Sequence, residues 1–220
     1  MDLLSLCMAA LLITCCAIFW KRRQRTASRA NYISTYRFPR KIKTELIKQY
    51  PQLNNAQAEE VLDGLREYFH VCHQAGHRFV SMPSQAVDTA WHQLILFTRE
   101  YSRFCTLAFG KFLHHTPAEA MSKPQAAQKG IQTAWRISCS RAGINPRSPH
   151  SLPLLFSLDT SLAIEGGFSY QLDCTKSGTQ NFCASHIAAS NSGCGGGCAS
   201  GSSSSNDSGC GGGCGGGCGS

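Results

Sequence analysis

The stretch PSQAVDTAWHQLILFTREYSRFCTLAFG, residues 83 to 110, decides how this chain is read. Pro83 and Ser84 are helix-start residues and Gly110 is a helix stop. Between them Val87, Trp91, Leu94, Ile95, Thr98, Tyr101, Cys105 and Ala108 return at intervals of three and four, the period of an amphipathic helix packed on a core. The spacing therefore predicts one helix from Pro83 to about Phe109. Working outward, the same period predicts a helix from about Asn55 to Ala75, with Ala58, Val61, Leu62, Leu65, Phe69 and Cys72 inward, capped by Asn54 or Asn55 and stopped at Gly76. A third runs from about Pro124 to Arg141, with Ala127, Ile131, Ala134, Trp135 and Ser138 as its inner stripe. Ser151 to Cys174 is apolar but broken by Pro153, Gly166 and Gly167, and reads as an extended segment laid over the helices. Within it, Phe168 to Leu172 alternates as a strand does. From Ser177 the chain is rich in Ser, Gly and Asn, with little to bury, and reads as disordered.

The net charge of +8 is unevenly placed. Lys21 to Lys48 holds ten Lys/Arg against one acid, while the chain from Gln49 onward is balanced. A neutral remainder offers no basic face to nucleic acid. The excess stands directly behind Leu3 to Trp20, eighteen residues without a charge. As a helix these would measure about 27 Å, near the hydrocarbon thickness of a bilayer. Trp20 falls where an interfacial aromatic belongs, and Lys21, Arg22, Arg23 and Arg25 place the following chain inside by the positive-inside rule. A cleaved signal peptide would need its positive charge before the apolar run. Leu12-Ile13-Thr14-Cys15 is a poor lipoprotein cleavage box. The expected fold is thus mainly α. Residues 1–20 form a transmembrane anchor, 21–43 a basic juxtamembrane connector limited by Pro39, 44–176 a helical domain of about three helices with an extended cover, and 177–220 a disordered Gly/Cys/Ser tail. Residues 3–29 would meet membrane lipid, with the bulk of the chain on the cytoplasmic side of a bacterial inner membrane. Cysteines on that side stay mostly reduced, so the thirteen are not read as a disulfide framework. Cys7, Cys15 and Cys16 are read as small apolar residues in lipid.

Asp88 and His92 lie one helical turn apart and share a face. Two roles suit them. Both could ligate a transition metal such as zinc, with His114 or His115 as a third ligand; or Asp88 could orient the His92 ring by accepting its second N–H. A plain structural hydrogen bond is the simpler alternative. His70, His73 and His77 also fall on one helical stripe, although His77 lies beyond Gly76. No nucleophile triad, phosphate loop, dinucleotide-binding glycine pattern or zinc-protease helix is present.

Taken together, Met82-Pro83-Ser84, Val87-Asp88, Trp91-His92, Tyr101, Phe104-Cys105, Phe109-Gly110 and Leu113-His114-His115-x-Pro117 resemble the core of the glycine-rich-domain-protein-like family, its bacterial branch in particular. The resemblance covers roughly residues 45 to 175. It implies a helical domain with a polar cluster around Asp88, His92 and His114 or His115, and no particular reaction.

Cys194-Gly-Gly-Gly-Cys198 and Cys210-Gly-Gly-Gly-Cys214-Gly-Gly-Gly-Cys218 repeat with a period of four. Paired thiolates at this spacing suit zinc or other soft metals, all-glycine spacers are costly to order, and Gly-Cys repeats also resemble the modifiable cores of some ribosomally made peptides. The sequence therefore describes a membrane-anchored ligand- or metal-binding domain, open to a protein partner. A metal-dependent enzyme centred on Asp88 and His92, or a peptide-modification or export component, are its alternatives.

Overall fold

Asn54 begins the helix on which most of the described helices pack. Its side chain accepts from the backbone N–H groups of Ala56 and Gln57, and the Gln57 side chain accepts from the Asn54 N–H, closing a reciprocal capping box. In the computed structural model, which describes residues 3–115, 124–172, 182–184 and 187, this helix is α3, Asn55–Ala75. Before it come α1, Leu3–Thr35, and α2, Arg40–Gln49; after it α4, Gln85–Ile95, α5, Thr98–Phe109, α6, Pro124–Arg141, and α7, Leu154–Ser161. Two short strands, β1, Tyr170–Gln171, and β2, Phe182–Cys183, pair in parallel with Tyr170 opposite Phe182. The described chain is mainly helical.

α3 touches α1, α2, α4, α6 and α7, so it is buried on more than one face. Besides the six expected inward residues, Gly64, Tyr68, His70, Val71 and Ala75 are buried. Gly64 permits the close approach: a Cβ there would stand 2.9 Å from Val87 Cγ2 of α4 and 3.0 Å from Leu158 Cδ1 of α7. Aromatic rings fill the space between α3, α5 and the end of α1, with Phe69 and Phe104 centroids 4.8 Å apart and Tyr36 and Phe104 at 4.5 Å.

Four expectations are corrected. Among the described residues, no helix is long and apolar enough to cross a membrane. Eighteen residues are at the lower edge of the roughly 20 a span requires. They also belong to a 33-residue helix that continues through Lys21–Arg29 and docks on the domain through Tyr32 and Ile33. The transmembrane anchor is overturned, and with it the single-pass, cytoplasm-facing placement of the chain. Second, the basic connector is the second half of α1 followed by α2, whose Ile42 and Leu46 are fully buried. Third, residues 83–109 form two helices: α4 ends at Ile95, and Phe97, at φ −82° and ψ 62°, precedes α5. Fourth, the extended cover contains α7, whose Leu155, Phe156, Leu158 and Asp159 are buried. Cys183 is disulfide-bonded, an exception to thiols expected to stay mostly reduced. Cys7, Cys15, Cys16, Cys72, Cys105 and Cys139 are free.

Candidate metal centre

Ser84 caps α4, its Oγ accepting from the Val87 N–H. The same hydroxyl donates to Asp159 Oδ1 at 2.6 Å, and that carboxylate also accepts from the backbone N–H groups of Gln85, Ala86 and Phe168. A carboxylate from α7 therefore satisfies the first amides of α4 where the helix dipole is positive. This clamp fixes the helix that carries Asp88 and His92.

The third member arrives from the loop after α5. Trp91 is buried and donates its Nε1–H to the Tyr101 hydroxyl at 3.0 Å. Tyr101 in turn donates to the Leu113 carbonyl at 2.6 Å. That relay holds residues 111–115 against α4. The His115 ring meets the Trp91 ring edge-on with centroids 4.5 Å apart, and its Nε2 lies 2.8 Å from Asp88 Oδ1. His92 Nδ1 is 3.6 Å from Asp88 Oδ2, beyond a hydrogen bond, and its ring centroid is 4.3 Å from that of His115. His114 points elsewhere, against the Phe112 ring at 4.8 Å.

Asp88, His92 and His115 each offer a ligand atom, all within 4.8 Å of one another. Tetrahedral donors about 2.0–2.1 Å from zinc are separated by about 3.4 Å, so the set needs only small side-chain movements to close on a cation. One oxygen and two imidazole nitrogens suit zinc and other divalent transition metals. The Asp88 and His115 side chains are 21% and 11% exposed and His92 is 49% exposed, so one side of the cluster faces solvent.

The other histidine stripe is not assembled. Buried His70 places Nε2 3.0 Å from the Ser34 hydroxyl of α1. Burial, and then the Arg141 charge, hold its pKa down at about 4. His73 is lowered by burial and by Arg29 and Arg141, cations that also oppose a metal. His77 is exposed beyond Gly76. The tail thiols Cys194, Cys198, Cys210, Cys214 and Cys218 lie outside the described residues. Sequence reasoning missed Asp159 and placed Tyr101 only on the buried seam and in the family pattern, not as a support; their partners are 75 and 10 positions away. No local spacing signals either contact.

A family model, UCP032817-like, matches residues 28–190. The chain belongs to the UCP032817-like family. No curated protein and no solved structure matches it significantly. The UCP032817-like match contains every residue of the cluster and both supporting residues. It begins at residue 28, just before α1 turns from exposed to partly buried at Arg29 and Ala30.

Proposed function

We propose that this protein binds a divalent transition metal, zinc being the best fit, through Asp88, His92 and His115. The observation that carries this reading is the convergence of two residues of α4 and one from the loop after α5 within 4.8 Å. The likeness of Asp88-x-x-Trp91-His92 to the glycine-rich-domain-protein-like family favours the same centre. Three protein donors leave a coordination position on the solvent side for water or a small ligand, as open zinc sites do. His114 is left out of the set.

The test uses the full chain with the five tail cysteines at 194, 198, 210, 214 and 218 changed to Ser, so that thiolates do not compete. After incubation with zinc and dialysis, about one equivalent is expected to remain by elemental analysis. D88N and H115A should each lose most of it, whereas H114A should retain it. Cobalt substitution should give a visible spectrum without thiolate charge transfer. If H115A lowers Tm but leaves the zinc content unchanged, Asp88 and His115 form a latch between α4 and the loop, and the metal reading fails.

A further inference from the structure

A second polar site lies where α1 ends, α2 begins and α3 passes beneath. The cleft there has a volume of about 480 Å³ and includes none of Asp88, His92 and His115. That volume is in the range of small-molecule sites. Four cations, Arg37, Arg40, Lys43 and Arg66, line it against one acid, Glu59. Glu59 is matched by Lys43, 3.2 Å away. Arg37 and Arg40 have no ion-pair partner among the described residues.

Arg66 is held in place before any ligand arrives. Its guanidinium lies over the Phe38 ring, 5.2 Å from the centroid; one terminal nitrogen binds Asp63 and the other donates to the Tyr36 carbonyl. Its Nε is buried and lacks a hydrogen-bond partner. An orphaned buried donor is costly, and an acceptor from a ligand would relieve it. The start of α2 adds to the same field: Pro39 is at the N-cap, no side chain caps the helix, and Pro39 and Arg40 line the cleft. Backbone amides at such an end favour an anion.

We propose that this cleft binds a phosphomonoester. Two free guanidinium forks, the Nε–H of a fixed Arg66 and the Arg40 and Lys41 amides at the start of α2 present more donors than a single carboxylate can use, while a phosphate offers acceptors in several directions. The volume leaves room for the organic part against Phe38, Ile47 and Leu62. The monoester could come from a soluble metabolite or from a lipid whose headgroup is itself a phosphomonoester, as in phosphatidic acid, since the chemistry recognised is then the same.

The test uses the full chain, with inorganic phosphate as probe against chloride at matched ionic strength. Phosphate should raise Tm where chloride does not. The apparent affinity by calorimetry should fall about tenfold or more in R37Q/R40Q, whose changes are on exposed residues, because charge-assisted hydrogen bonds are lost. R66K, which keeps the charge but not the unpaired Nε–H, should weaken phosphate as well. Vesicles of equimolar phosphatidic acid and phosphatidylcholine identify the source. Capture that phosphate competes away and R37Q/R40Q loses assigns the site to headgroups; phosphate binding without such capture assigns it to a soluble ligand. Equal stabilisation by chloride, or unchanged phosphate affinity in R37Q/R40Q, overturns the proposal.

Discussion

His70 shows how a single side chain is decided by its surroundings. In the sequence it is one of three histidines on a stripe; in the fold it is buried, bonded to Ser34, and held at a pKa of about 4. The unfolded chain protonates this ring near pH 6.5. Between pH 6.5 and 4 the unfolded state therefore binds more protons than the folded state, and stability falls as pH falls. The contribution of neutral His70 is complete above pH 6.5 and lost by about pH 4. Urea unfolding at pH 7 and pH 5 should show a loss of at most about 2 kcal/mol from this residue, and H70Q should remove that part of the slope. An unchanged slope in H70Q would assign the pH dependence elsewhere. The buried thiols show the same control by environment: burial pushes Cys72 up to about 12 and Cys139 up to about 11, so both pack as neutral groups.

Among elements, the break between α4 and α5 builds the candidate centre. In one continuous helix Trp91 and Tyr101 would be about 15 Å apart along the axis, too far for the 3.0 Å hydrogen bond that they make. The turn at Leu96 and Phe97 folds Tyr101 back towards Trp91, and Tyr101 brings the His115 loop with it. Neither Gly nor Pro marks this break, and Leu96 is 71% exposed. The 3.6-residue period continues across it, so the sequence reads as one helix. The bounds of α3 and α6 are legible because Asn54, Gly76 and Pro124 are local signals. α7 is not, because its inward residues answer to α3, α4 and α6 rather than to a period of their own. Its Asp159 joins α7 to the start of α4. D159N replaces one acceptor oxygen by a donor facing Ser84 Oγ–H and three amides. It should cost about 2–4 kcal/mol in urea unfolding, with D159A no better. A loss under about 0.5 kcal/mol, the level of an ordinary surface change, would refute the clamp.

At the scale of the whole molecule, α1 is one helix with two environments. Residues 10–28 are exposed, whereas Ile33 is 1% exposed and Tyr32 and Tyr36 join the aromatic core. Deleting residues 2–20 should leave unfolding free energy within about 0.5 kcal/mol of the full chain, and deleting residues 2–36 should lower it by several times that amount, as measured by urea titration. A large effect of the shorter deletion would show that the apolar half is packed in solution. The amino-acid sequence by itself determined the helical class, the ends of α3 and α6, the concentration of positive charge behind Leu3 to Trp20, and the common face of Asp88 and His92. Capping chemistry, hydrophobic period and charge are properties of neighbouring residues. Only the tertiary structure decided that the apolar run belongs to a helix that docks on the domain, that His115 rather than His114 meets Asp88, and that Arg37, Arg40 and Arg66 line one cleft. Each depends on a contact between residues far apart in the chain, made when helices pack and visible in no local pattern.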